Sequence, residues 1–370
     1  MWGELYAGAC ADSGVAPRKE ILALEGGAVH LCGNTFDRHN QRLTDDEVVA
    51  LAATCARLPL VAELHLGYNK VSSRGAAALA DAMQGGFRSL QCLDLSHNAV
   101  DAEGANVIAA AAATHPSLST LLLRGNPIGG GGGPLMEKLL RSDEGGGSGV
   151  LATLDLENTE QDMKSLVHIA RGLARNSTLT TLNLGRPLMS NPDDVACVAR
   201  HLALALTGNT TLRSLGLGHF NLTDEDLSLL LSPLGNSAVV CLSLRGNKLS
   251  QESGATLAKL LTLRPDFVSL DVTANRLRDV GAASLAAAVA LHPGLRALHI
   301  ASNTIGGRGI SAIAKAVETN TSLASLRLWG NDFSDASVAE LYALREKIES
   351  LQEKDFSFYV VDDRPMLARE

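Results

Sequence analysis

Ten histidines and six cysteines are the residues of this chain best suited to ligate a metal or act as nucleophiles. Their linear spacing builds neither function. No His-Glu-x-x-His sets two imidazoles on one helix face, and no Cys-x-x-Cys supplies a thiolate pair. No Gly-x-Ser-x-Gly turn exposes a serine hydroxyl. The run Gly129–Gly133 would need a following Gly-Lys-Ser/Thr to cradle a phosphate, and Pro134-Leu135-Met136 follows instead. A flexible inserted turn is expected there. A linker is expected at Gly145-Gly-Gly-Ser-Gly149, and because both glycine runs fall in one repeat, that repeat is expected to be the most mobile. Thr44-Asp45-Asp46-Glu47 is expected to open a helix, with Thr44 as cap and the carboxylates favouring the amino end. The expectation is a non-enzymatic chain with no cofactor and no metal. What remains is recognition chemistry, carried by Arg124, Asp155, Glu157, Arg245, Asp271, His299, Arg327 and Trp329.

These residues share a phase. Leu90-x-x-Leu93-x-Leu95-x-x-Asn98-x-Val100 recurs, and its Asn slot falls at Asn34, Asn69, Asn98, Asn126, Thr159, Pro187, Phe220, Asn247, Asn275, Asn303 and Asn331. A repeat of this length is one strand-helix unit that buries its apolar face against its neighbours. Leu-x-Leu before each slot has period two and predicts a short strand. After the slot, segments such as Gly281-Ala-Ala-Ser-Leu285-Ala-Ala-Ala-Val289 space large apolar residues by about four, which predicts a helix. The return turn is written Asn176-Ser-Thr-Leu179, Asn209-Thr-Thr-Leu212 or Asn320-Thr-Ser-Leu323 in some repeats. In others it is His115-Pro-Ser-Leu118, Arg264-Pro-Asp-Phe267 or His292-Pro-Gly-Leu295. Parallel strands stack about 4.8 Å apart while helices need about 8–10 Å, so the array is expected to curve with strands inside. The slot Asn is expected to satisfy backbone groups where each strand ends. Thr159, Pro187 and Phe220 break that rule, and irregular geometry is expected around them.

Composition narrows the function classes. Net charge is −8 and no run of five Lys/Arg occurs, so nucleic acid is not an expected partner. No apolar run approaches the ~20 residues that span a bilayer, so no membrane contact is expected. Met1-Trp-Gly-Glu-Leu-Tyr6 has no basic region ahead of an apolar core, which argues against a signal peptide and for a cytoplasmic setting. The cysteines are expected to be free thiols. Of the four Asn-x-Ser/Thr sequons, those at Asn176, Asn209 and Asn320 share one repeat phase, so the repeat explains them better than glycosylation does.

The repeat resembles the leucine-rich-repeat superfamily, in its ribonuclease-inhibitor-like subtype, over about residues 29 to 333. That resemblance implies an α/β solenoid, a curved horseshoe of an inner parallel β-sheet and outer α-helices, with about 11 repeats of about 28 residues. The expected organisation is a cap over 1–24, the solenoid over 25–333, and a charged capping helix (334–354) plus tail to 370. Three segments, Tyr6-x3-Cys10-x3-Gly14-Val15-x-Pro17, Arg42-Leu-Thr-Asp-Asp-Glu-Val48 and Tyr359-Val-Val-Asp-Asp363, are involved in a narrower resemblance. With Leu328-Trp-Gly-Asn331 they are similar to the group of leucine-rich repeat-containing protein 34 and its protist relatives. That group implies an interaction scaffold in a large multi-subunit assembly such as the ciliary axoneme, with other proteins as partners and no small-molecule substrate. A Ran-type GTPase-activating protein shares the repeat subtype and is the alternative. Binding residues of such solenoids lie on the concave sheet, two, four and six residues before the slot. This is where the eight recognition residues fall, with Arg245, Asp271, His299, Arg327 and Trp329 as a carboxy-terminal patch.

Overall fold

The computed structural model describes all residues except 1, 23, 25–26, 36–39, 59–60 and 143–146. The chain divides into two compact units, residues 1–188 with 208–212, and residues 189–207 with 213–370. In the first unit Leu-x-Leu, or Val29-x-Leu31 in the first repeat, forms a three-residue strand: β1 (Ala28–His30), β2 (Glu63–His65), β3 (Cys92–Asp94), β4 (Thr120–Leu122), β5 (Thr153–Asp155) and β6 (Thr181–Asn183). They pair in parallel and in sequence order, with equivalent repeat positions in register. The helices are α1 (Trp2–Asp12), α2 (Lys19–Leu22), α3 (Asp45–Arg57), α4 (Ser73–Gly85), α5 (Ala102–Thr114), α6 (Gly133–Leu140) and α7 (Met163–Leu173). Successive helices from α3 to α7 pack side by side, forming a second layer.

The second unit repeats the plan. Its helices are α8 (Pro192–Gly208), α9 (Asp224–Asn236), α10 (Gln251–Leu263), α11 (Arg278–Leu291), α12 (Gly307–Thr319), α13 (Asp335–Ala343) and α14 (Arg345–Glu349). Its parallel strands are β7 (Ser214–Gly216), β8 (Cys241–Ser243), β9 (Ser269–Asp271), β10 (Ala297–His299), β11 (Ser325–Arg327) and β12 (Glu353–Lys354). A hairpin of β13 (Phe356–Val361) and β14 (Arg364–Arg369) ends the chain. The parallel strand-and-helix architecture expected from the period is therefore present in both units.

The slot Asn is a three-point connector. The amide of Asn275 donates to the Val272 carbonyl of its own repeat (2.9 Å) and the Leu244 carbonyl of the preceding one (3.0 Å). Its oxygen accepts from the Leu249 N–H (3.1 Å). Asn69, Asn98, Asn126, Asn247, Asn303 and Asn331 make the same donor pattern. A carboxamide fits because it offers donors and an acceptor on one short stem. Thr159 keeps one of these bonds, its hydroxyl donating to the Leu156 carbonyl at 2.6 Å. Phe220 fills its slot with a buried ring, and the neighbouring Asn221 donates to the Met189 carbonyl.

The return turn carries a second ladder. Asn320 donates to the carbonyls of Val289 (2.7 Å) and His292 (3.1 Å) and accepts from the Ser322 and Leu323 amides. Asn176 and Asn209 work alike and are almost fully buried, so the repeat does account for those three sequons. His115 does the same with imidazole: Nε2 meets the Phe87 carbonyl at 2.8 Å and Nδ1 accepts from the Leu118 amide at 3.1 Å. Arg264 donates to the Leu234 and Ser237 carbonyls and holds Asp266 with its remaining nitrogens.

Two sequence expectations change, and a third lies partly outside the described residues. The Gly129–Gly133 run is no loose insertion. Gly130–Gly132 forms a 3-10 turn leading into α6, because a Cβ at Gly130 would lie 2.3 Å from Asp162 and one at Gly133 would lie 2.7 Å from the Ser165 backbone. The glycines allow close approach to the start of α7. Gly145 and Gly146 of the expected linker lie outside the described residues. Residues 334–354 are not one helix: it breaks at Leu344, and Glu353–Lys354 turn back to pair with β11. An exposed strand edge leaves backbone groups unpaired, and β12 satisfies those of β11. Thr44 does cap α3, in a capping box with Glu47.

Asn275→Ala leaves two carbonyls and one N–H without partners in a buried place, and stability drops by about 3 kcal/mol, read as a lower urea midpoint. Burial holds the His115 imidazole below its ordinary range despite the Phe87 carbonyl. A depressed histidine contributes stability that is complete above the unfolded value of about 6.5 and lost as pH falls below it. His115→Asn, which copies Asn176, therefore shows a smaller loss of urea midpoint between about pH 7.5 and 5.5 than the parent chain.

Candidate functional site

The open face of each sheet is built by the alternation within each strand. The central Leu is buried and the residues on either side are half-exposed, as in Cys241-Leu242-Ser243 and Thr153-Leu154-Asp155. A sharp turn ends each strand, and the residue just before the slot takes a left-handed conformation: Tyr68, His97, Gly125, Asn158, Arg186, His219, Gly246, Ala274, Ser302 and Gly330 all have φ between 54° and 81°. This column aims the following slot residue inward.

In the first unit Arg124, Asp155 and Glu157 are linked to one another, although the buried Nε of Arg124 is left without a hydrogen-bond partner among the described residues. Arg124 pairs with Glu157 at 3.1 Å, Asn183 donates to Glu157 at 3.0 Å, and the Glu157 amide donates to Asp155 at 2.9 Å. Burial pushes the Asp155 carboxyl up, against the Glu157 amide and the Arg124 charge. Asp94 and Asp271 hold the backbone amide two residues on in the same way, so part of this acidic column is spent on local turn geometry.

The second unit is different. A hollow of about 400 Å³ is lined by Arg245, Thr273, Ala301, Ser302, Arg327, Trp329, Lys354, Asp355, Arg369 and Glu370. Three of the expected residues, Arg245, Arg327 and Trp329, meet there; Asp271 and His299 do not line it. The far wall is the hairpin. Its two-residue turn, Asp362-Asp363, has both φ positive (48° and 60°), the geometry that matches strand twist. Phe356 is fully buried, and Phe358 meets Tyr342 edge-on at 5.6 Å. The tail thus docks. Asp355 fixes the seam by accepting from the Leu328 amide (2.8 Å) and the Trp329 amide (3.1 Å), standing in for the next strand.

The charges of the hollow are unevenly matched. Lys354 pairs with Glu370 at 2.7 Å, and Arg327 pairs with Glu353. Glu353 also accepts from Ser325, and these two partners hold its carboxyl below the usual range. His299 lies 2.9 Å from the Ser325 hydroxyl, and burial lowers its pKa against the pull of Asp271. Among the described residues Arg245 and Arg369 have no ion-pair partner. Trp329 is half-buried, tilted against Phe333 at 6.3 Å, with the rest of its surface lining the hollow.

A family model described as Leucine Rich repeat matches residues 59–80, 88–109 and 293–314. In these three stretches the chain is similar to leucine-rich repeats. No curated protein matches it in sequence. Among solved structures, an internalin (inlF) from Listeria monocytogenes is 17% identical, covering 96% of this chain and 95% of that one, with a TM-score of 0.43. The Rad7 and Elc1 complex of yeast is 17% identical over 81% of this chain and 82% of that one, with a TM-score of 0.43. The tropomodulin C-terminal domain of Caenorhabditis elegans is 14% identical over 43% of this chain and 92% of that one, with a TM-score of 0.34.

The repeats placed the strand residues of the hollow correctly, but not its far wall. Lys354, Asp355, Arg369 and Glu370 come from the segment expected to be capping helix and tail. The one signal available was Val360-Val361-Asp362-Asp363, an apolar run followed by turn residues. None of the six cysteines is joined in a disulfide. Among the described residues no helix is long and apolar enough to cross a membrane.

Proposed function

We propose that this chain is a non-enzymatic protein-interaction scaffold whose carboxy-terminal hollow receives an acidic segment of a partner protein. The carrying observation is the pair of guanidiniums without ion-pair partners, Arg245 and Arg369, sharing one hollow with half-buried Trp329. Arginine forks match carboxylates bidentately, and Trp and Arg dominate interface energies. Arg327 belongs to the same wall, and Asp271 and His299 flank it. Arg124, Asp155 and Glu157 form a second, internally ion-paired surface in the other unit, with only Arg124 Nε left over.

The finer reading is a stable subunit of a large assembly such as the ciliary axoneme. It is supported by the sequence segments around Tyr6, Arg42 and Tyr359 and by Leu328-Trp-Gly-Asn331. The rival is a Ran-type GTPase-activating protein. Added to a Ran-like GTPase, the scaffold leaves single-turnover GTP hydrolysis at its intrinsic rate; acceleration would transfer the case to the rival. Partners recovered by affinity purification and mass spectrometry are expected to lose about 2 kcal/mol of binding, roughly 30-fold, with Trp329→Ala or Arg245→Ala. Arg327→Ala weakens them less, because Glu353 already holds that guanidinium. Undiminished recovery by all three variants removes the hollow from the account.

A further inference from the structure

The slot-minus-four column of the first unit brings together side chains that lie far apart in sequence. His30 on β1 and His65 on β2 are register partners, and their rings stack with centroids 4.5 Å apart and planes at 12°. Glu63 stands two residues before His65, on the same face, with its carboxylate 3.4 Å from His65 Nε2. One ligand atom from each of His30, Glu63 and His65 lies within 4.8 Å of the other two. On the far side of His65, Nδ1 is 3.7 Å from a carboxylate oxygen of Asp94 on β3.

We propose that His30, Glu63 and His65 form a Zn²⁺ site, with Asp94 as the residue that orients His65. Two imidazoles and a carboxylate are a donor set that zinc accepts, with metal–ligand bonds of about 2.0–2.2 Å. Tetrahedral bonds of that length need donor atoms roughly 3.4 Å apart, so the three groups must draw in by ~1 Å or so. His30 and Glu63 are exposed and can rotate to do this, while the parallel register of β1 and β2 keeps their backbones aligned. Imidazole donors favour zinc over calcium or magnesium, which take oxygen ligands. A carboxylate behind a ligating histidine fixes its tautomer and raises its basicity, and Asp94 stands where that partner is needed. Three protein ligands leave a fourth position open on the exposed sheet face. The ion joins β1 to β2 and secures the outermost strand of this sheet, whose own slot residue Asn34 is exposed.

The test uses the full chain, free of any histidine tag and stripped with a chelator. Co²⁺ is titrated as a visible-absorption probe, and Zn²⁺ affinity is measured by competition with a chromophoric chelator. One ion per chain is expected, with the strong visible bands of a four- or five-coordinate cobalt site, and Zn²⁺ raises the thermal midpoint. His65→Ala and Glu63→Gln each weaken Zn²⁺ binding by about 100-fold or more, and Asp94→Asn by about tenfold. His201→Ala, at a histidine beside Cys197 on α8, leaves affinity unchanged. If His65→Ala misfolds, Glu63→Gln, at an exposed side chain, carries the same readout. Zn²⁺ affinity unchanged in Glu63→Gln and His30→Ala, loss on His201→Ala alone, or only the weak bands of octahedral cobalt overturns the site.

Discussion

A buried carboxamide that donates to the carbonyls of two successive strands is the contact on which the repeats depend. Each three-residue strand ends where the chain leaves the sheet, and its last carbonyls would otherwise be stranded away from water. Asn275 and its equivalents bind those carbonyls in pairs, one from each repeat, so neighbouring repeats become mutually necessary. The Leu core supplies the larger driving force, but it is non-directional. The carboxamide sets how far one repeat is displaced from the next, and through that displacement it sets which side chains share a column on the open face.

That column logic links the two surfaces described above. In the second unit it stacks Arg245, Thr273, Ala301 and Trp329, two residues before successive slots, into one wall. In the first it stacks His30, His65 and Asp94, four residues before theirs. A sheet whose strands repeat in register turns a period in sequence into proximity in space. Function follows from which residues occupy a column and from whether their neighbours already satisfy them. Arg124 is taken up by Glu157, whereas Arg245 has no such partner.

Much of this was legible in the sequence because the signals are local. Leu-x-Leu, the slot Asn and the helical spacing after it each fit within a dozen residues. Thr44 as a cap needed only Glu47 three residues on. What escaped notice was set by packing. Glu353-Lys354 carries no Leu-x-Leu and becomes a strand because the edge of β11 needs cover. Tyr68, His97, Arg186 and Ala274 share a left-handed backbone and no side-chain chemistry, so residue type could not reveal the column. Gly129–Gly133 looked loose because glycine is permissive, yet at Gly130 and Gly133 the start of the neighbouring helix leaves no room for a Cβ. His30 and Glu63 are 33 positions apart, beyond the reach of any single-element ligand motif.

The return turn has a consequence for how such an array can change over generations. His115, Asn176, Asn209, Arg264, His292 and Asn320 are chemically unlike, yet each sends a hydrogen bond back to a carbonyl of the preceding repeat. A duplicated repeat can therefore drift among imidazole, amide and guanidinium at this position without losing its attachment. Copies made by duplication arrive already compatible with either neighbour, and the array can gain or lose a repeat while the face that meets partners is free to diversify.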